Sequence, residues 1–264
     1  MDQGRIGVVK KRKKKSWKLF KMKKFILYVL LFLAIIGLIY SSYCIICWFI
    51  DNQETKKQIQ QLQEFVEVDS NLDSSESILS VDFSSLLKKN KEVKGWIKVF
   101  NTNINYPFVQ HTNNSYYLNH SFDMSQNNAG WIFLDYRNNI DELDTNTIIY
   151  GHGRVDGTMF GSLKKILTEE WLNDSNNYTI NIYLPSTTYV FKIFSAYHVD
   201  TTDDYLKTSF NSVREYGEFL KMIKNRSSYL FPSDVNVDDK IITLSTCYND
   251  REKMVVHGVL VSEE

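Results

Sequence analysis

From Phe25 to Ile50 the chain reads FILYVLLFLAIIGLIYSSYCIICWFI, 26 residues without a charge. At about 1.5 Å per residue a helix of that length exceeds a hydrocarbon core of about 30 Å, so the run predicts a membrane span. A cleavable signal would carry an apolar region of only about 7–15 residues ending in a small-residue site. The run is too long and has no such site, so it reads as an uncleaved anchor over 25–50. Beyond it, Ile59, Leu62, Phe65 and Val66 recur at helical spacing in DNQETKKQIQQLQEFVE. The polar stretch DSNLDSSES that follows has linker chemistry. Residues 51–79 thus read as a membrane-proximal helix and linker, and 80–264 as the folded domain.

Within 80–264 the pattern is dominated by apolar, β-branched and aromatic runs bounded by polar turns, which predicts strands. They are GWIKVFNTNINYPFV, GWIFLDY (130–136), TNTIIYGHG (145–153), NYTINIYL (177–184), TTYVFKIFSAYHV (187–199), KIITLSTC (240–247) and MVVHGVLV (254–261). Helices are expected after Asp82, at FGSLKKIL (160–167) and after Ser212, where Ser212 and Glu215 have the spacing of a capping box. With six or more strands and no alternating strand–helix rhythm, the fold is expected to be mostly β, an antiparallel barrel or sandwich. The LPST segment at 184–187 reads as a hairpin turn between two of these strands.

Charge fixes the expected topology. Residues 1–24 carry eleven bases and one acid, and basic flanks remain cytoplasmic. They form a basic cytoplasmic tail beside anionic membrane lipid and give no reason to invoke nucleic acid. The chain balances 31 bases against 31 acids, yet residues 51–264 hold 20 and 30, so the outer domain is acidic. The expected product is a single-pass protein of the cell membrane with its folded domain outside.

Cysteine usage then singles out one residue. Cys44 and Cys47 lie inside the apolar run and read as packing residues. Cys247 has no partner beyond the membrane, and a lone external thiol points to reactivity or to intermolecular pairing. It closes the strand-like ITLSTC, where a sheet edge holds a nucleophile rigidly. Among five histidines, His111 and His120 lie in Asn-rich segments and His198 near a strand end, whereas His152 ends a strand between Gly151 and Gly153. His257, inside VVHGVL, reads as a structural strand position. Arg251 and Lys253 compete to supply a fixed positive charge for an oxyanion.

TLSTC, YGHG and a basic residue shortly before VVHGVL resemble the sortases, cysteine transpeptidases that fasten proteins to Gram-positive cell walls. SYYLNHSFDMSQNNAGWIFLDYRNN (115–139) and IIYGHGRVDGTMFGSLKKI (148–166) are similar to class B members in order and spacing. The resemblance implies a closed antiparallel or mixed β-barrel of about eight strands with peripheral helices, spanning about residues 80–262. It implies Cys247 as nucleophile, His152 as acid–base group and Arg251 as oxyanion donor, with Thr243, Ser245, Thr246 and Lys253 around the substrate. The expected partners are surface proteins bearing a sorting signal, cleaved after threonine, and an amine of a peptidoglycan precursor. Class B members place their arginine two residues before the Val-Val pair, where this chain has Lys253; a shifted strand or bulge would bring Arg251 into that role.

Two other readings stand beside this one: a secreted thiol hydrolase without transfer, and an anchored binding module without catalysis. The order His152 before Cys247 disfavours a papain-like hydrolase. No cluster has metal-ligand spacing and no glycine-rich phosphate loop occurs, so neither metal nor cofactor is expected.

Overall fold

The computed structural model describes residues 3–68, 79–200, 202–247 and 252–263, excepting the side chains of 3–16, 18, 19, 68 and 247. The chain divides into two compact units, Met1–Ile50 and Asp51–Glu264. Helix α1 (Gln3–Gln63) makes up the described part of the first unit and opens the second. Its apolar side chains between Phe25 and Ile50, such as Leu27, Leu30 and Phe32, are exposed, and the helix is long and apolar enough to cross a membrane.

In the second unit a short pair, β1 (Val66–Val68) and β2 (Leu79–Val81), precedes helix α2 (Phe83–Lys89). Asp82 caps that helix, its Oδ1 accepting from Ser85 N at 3.0 Å. Eight strands then close into a barrel: β3 (Val93–Val99), β4 (Asn105–Val109), β5 (Phe133–Leu134), β6 (Asn146–His152), β7 (Thr179–Tyr183), β8 (Thr188–Asp200), β9 (Ile241–Cys247) and β10 (Glu252–Glu263). Around the barrel they run β10-β8-β7-β3-β4-β5-β6-β9. Closure leaves no unpaired edge to recruit another chain. LPST joins β7 to β8, with Leu184 N donating to Thr187 O at 2.8 Å.

Most neighbours are antiparallel, but β4 pairs with β5 and β6 pairs with β9 in parallel. The β6–β9 pair is also the most enclosed. Ile148, Ile149, Ile242 and Leu244 are fully buried, as expected of parallel strands covered on both faces. The barrel interior supplies one cover, with Trp96, Phe108, Ile180 and Phe191 in its core. After the short helix α3 (Glu169–Leu172), helix α4 (Val213–Arg226) packs Tyr216, Phe219, Leu220 and Ile223 with Phe194, Ile241 and Val255 in a second core. Ser212 caps α4 by accepting from Glu215 N at 3.1 Å. The Glu215 carboxylate accepts from Asn211 N at 2.9 Å rather than from Ser212 N, so the capping box is shifted by one residue.

The segment expected to be helical at 160–167 forms a 3₁₀ helix (Gly161–Leu167). Its tightness follows from Gly161, where a β-carbon would stand 2.0 Å from the Arg154 carbonyl oxygen. The contact holds residues 153–161 as a compact loop just past the end of β6.

Candidate active site

Parallel pairing of β6 with β9 brings two distant stretches of sequence to one end of the barrel. Their register runs from Asn146 opposite Ile241 to His152 opposite Cys247. Adjacent strands lie about 4.8 Å apart, so the last residues of both strands are neighbours on one rigid rim. Both segments end there because glycine-rich loop sequence follows one and the polar 248–251 stretch follows the other. Arg251 lies outside the described residues.

His152 is half-buried and held from several sides. Its Nε2 donates to the Leu118 carbonyl oxygen at 2.6 Å, since a carbonyl can only accept. Its ring lies against Gly130, where a β-carbon would stand 2.7 Å from His152 Cδ2 and 2.6 Å from the Tyr117 carbonyl oxygen. Gly130 has φ +63°, a left-handed conformation that costs other residues about 1–2 kcal/mol. The His152 carbonyl accepts from Arg154 N and Phe160 N, both at 3.0 Å, which closes the following loop onto the strand end. Ring orientation is thereby set through Nε2.

The strand preceding Cys247 alternates in role. Ser245 is buried, and its hydroxyl meets the Tyr205 hydroxyl at 2.9 Å. Thr246 accepts from Met254 N at 2.8 Å and donates to Met254 O at 3.3 Å, tying β9 to β10 beside the rim. It also lines a cavity of about 340 Å³ with Gly153, Arg154, Phe160, His198 and Met254. Lys253 pairs with Asp203 at 3.2 Å and stands 5.8 Å from the centre of the Tyr205 ring.

Thr243 is fully buried, and the hydrogen-bonding partners of its hydroxyl are internal. It lies between Asn146 Oδ1 at 2.7 Å and His257 Nδ1 at 2.9 Å. Asn146 Nδ2 donates to Lys207 O, so its Oδ1 is the acceptor for the Thr243 hydroxyl. His257 Nδ1–H then donates to Thr243 Oγ1, and Nε2 accepts from the Tyr197 hydroxyl at 3.0 Å. Burial depresses the His257 pKa to about 3, with the nearby Arg226 charge adding to the effect. The imidazole is neutral and structural, as its strand context predicts.

That depression has a testable sign. The folded pKa lies below the ordinary 6.5, so between these values the unfolded chain takes up a proton that the folded chain refuses. The stability contributed by neutral His257 is complete above pH 6.5 and is lost as pH falls toward 3. The melting temperature should therefore decline from pH 6.5 to 4.5, before most carboxylates titrate, and His257→Gln should flatten that decline in a thermal-denaturation series.

Below the rim, Asp135 is fully buried and accepts from Tyr150 Oη at 2.9 Å, from Asn114 at 3.0 Å and from Arg137 Nη2 at 2.7 Å. Burial alone would raise its pKa, but the bonds from Arg137 outweigh this and hold it below the ordinary carboxylate value. Tyr150 is the register partner of Ser245, so its bond to the buried Asp135 carboxylate, itself paired with the exposed Arg137, braces the strands two residues before their ends. His111 bonds Glu92 at 2.7 Å and His120 bonds the Tyr116 carbonyl at 2.8 Å. Neither bond involves the β6–β9 rim.

Three features of this rim escaped the sequence reading: the Leu118 carbonyl, the close approach at Gly130 and the Asp135–Arg137–Tyr150 brace. The glycine in NNAGW was the only local signal for the second, and a backbone acceptor leaves none.

Residues 97–261 match the sortase domain family model. A sortase B of Listeria monocytogenes is 37% identical over 186 residues, covering 69% of this chain and 75% of its own length. The crystal structure of sortase B from Bacillus anthracis in complex with AAEK1 superposes with a TM-score of 0.70 at 36% identity, over 81% of this chain and 99% of that one. A crystal structure of sortase B complexed with triglycine gives 0.65 at 36% identity, over 68% and 85%.

Proposed function

This chain belongs to the sortase family and is of the sortase B type, a cysteine transpeptidase, and from that premise we propose how its own residues carry the reaction. The Cys247 thiolate attacks the carbonyl of a threonine in a C-terminal sorting signal. A tetrahedral oxyanion forms, steadied by Arg251 and backbone N–H groups. His152 gives a proton to the departing amine, and the C–N bond breaks to leave a thioacyl enzyme. The amine of a peptidoglycan precursor then attacks the thioester, His152 takes its proton, and the thiolate is released.

The observation that carries this reading is the register of His152 with Cys247 at the ends of two parallel strands. Proximity on a rigid rim is worth more here than any single contact, because pre-set geometry removes much of the entropic barrier. Ser245 and Thr246 shape the substrate floor, while Thr243 supports it from inside the barrel. The triglycine bound by a relative supports a glycine-like acceptor amine. The basic tail and apolar helix support a single-pass anchor, N-terminus inside, with the catalytic domain on the cell-wall side.

A quenched fluorescent peptide carrying a sorting signal tests the proposal when incubated with and without triglycine. A ligated product supports transfer. Cleavage indifferent to triglycine would make the protein a hydrolase, and absence of turnover with peptide binding retained would make it a binding module.

The two rival cations separate by mutation. Lys253 is engaged by Asp203 and the Tyr205 ring, and an ammonium replaces a guanidinium fork poorly. Arg251→Ala should lower kcat by about 10²–10³-fold, the usual cost of losing an oxyanion donor, whereas Lys253→Ala should reduce it far less. The reverse ranking in steady-state kinetics would assign the oxyanion to Lys253.

A further inference from the structure

The second compact unit opens with a helical stretch whose inward side begins polar and turns apolar. Asn52 and Thr55 are buried and Gln58 is half-buried, before Ile59 and Leu62 join the barrel core. Burying polar side chains is unfavourable unless they find partners. Asn52 Oδ1 accepts from Arg154 Nη2. Thr55 Oγ1 donates to Asp51 O at 2.7 Å and accepts from Asn127 Nδ2 at 3.3 Å. Gln58 Oε1 accepts from Phe122 N at 3.2 Å.

Each of these partners outside the helix belongs to a segment that holds His152. Arg154 lies two residues past the histidine, in the loop whose backbone closes onto the His152 carbonyl. Phe122 and Asn127 lie between Leu118, which accepts from the imidazole, and Gly130, which the ring packs against. Asn127 ties this segment together. Its N donates to Asn119 O at 2.9 Å, its O accepts from Gly130 N at 3.0 Å, and its Oδ1 accepts from Ala129 N at 2.8 Å. Contiguous hydrogen bonds thus run from Thr55 through Asn127 to Gly130 and to Asn119, the residue after Leu118, and from Asn52 through Arg154 to the end of β6.

We infer that the helical turn at 51–55 is part of the transfer machinery, with Asn52 and Thr55 as positioning residues that fix where the His152 ring sits. The inference rests on His152 being the acid–base group. Its physical basis is that residues 118–130 hold the imidazole mainly through backbone groups, and a backbone segment is only as fixed as its own anchors. A displacement of about 1 Å at a reacting group can cost about 10²-fold in rate. Asn52 and Thr55 touch neither substrate nor thiol in this reading, so they should act on kcat rather than on peptide binding.

The test uses the full-length chain in detergent micelles, with each preparation normalised by titration of its reactive thiol. Asn52→Ala combined with Thr55→Val should lower kcat for transfer to triglycine roughly 10–100-fold while KM for the peptide stays within about twofold. Thr55→Ser, which keeps the hydroxyl, should retain the parent kcat. Thermal denaturation of each variant shows whether it is folded at the assay temperature. Thr55→Val alone serves if the double variant is not folded, and it should show the same split at smaller size. Parent-like kcat in the folded variants, or a loss shared by Thr55→Ser, would overturn the inference. Lack of transfer by the parent would instead overturn the reading of the site on which it rests.

Discussion

Cys247→Ala should abolish both cleavage and transfer, a loss of at least about 10⁴-fold in kcat, because nothing else on the rim replaces an enzyme's covalent nucleophile. Cys44 and Cys47 belong to the apolar run, so residues 51–264 hold no second thiol that could take over. Cys247→Ser is expected to fail almost as completely. A serine hydroxyl ionises far less readily than a thiol and would need a general base poised on it. Peptide binding should survive in both variants, measurable by fluorescence anisotropy, because they change one side chain at the end of β9. Substantial turnover by Cys247→Ala would remove the thioacyl step.

His152→Ala should reduce kcat by about 10²–10⁴-fold, the range for a positioned acid–base group, with the barrel unchanged by circular dichroism. The loss should fall on chemistry more than on KM. His152→Gln should not recover the rate, because an amide can hydrogen-bond to Leu118 O but cannot shuttle a proton. That pair separates proton transfer from mere support of the 118–130 segment. If His152→Gln were as active as the parent, the imidazole would be structural, as His257 is.

Much of the barrel could be read from apolar, β-branched and aromatic runs. β7 and β8 lie within two of them, and LPST forms the expected turn between them. The pairing that makes the site could not be read this way. Both β6 and β9 are covered on two faces, so buried apolar and buried polar side chains such as Asn146, Thr147, Thr243 and Ser245 mix along them without alternation and give no clue to partner or direction. Nearly a hundred residues separate the two strands, and no local propensity reaches across that gap. That His152 ends a strand at a loop while His257 lies within one was legible, because glycines flank the former and VVHGVL surrounds the latter. Thr243 is harder, because an inward threonine and an outward one look alike until register places it opposite His257.

The helical stretch before the barrel shows another limit. Apolar spacing identified Ile59 and Leu62, and the polar residues around them left the stretch read only as a membrane-proximal helix. Asn52 and Thr55 are nonetheless buried, because each satisfies a hydrogen bond offered by a loop beside His152. Patterning by hydrophobicity is blind to a polar docking face, whose partners come from residues far along the chain.

Intact-mass spectrometry of the second compact unit, Asp51–Glu264, mixed with a sorting-signal peptide and followed by a triglycine chase, bears most directly on the thioacyl mechanism. The expected record is a covalent adduct equal to the peptide's N-terminal fragment, mapped to Cys247, which disappears on the chase as the fragment–triglycine product forms. A ligated product formed without any adduct on Cys247, or an adduct that triglycine cannot discharge, would contradict it.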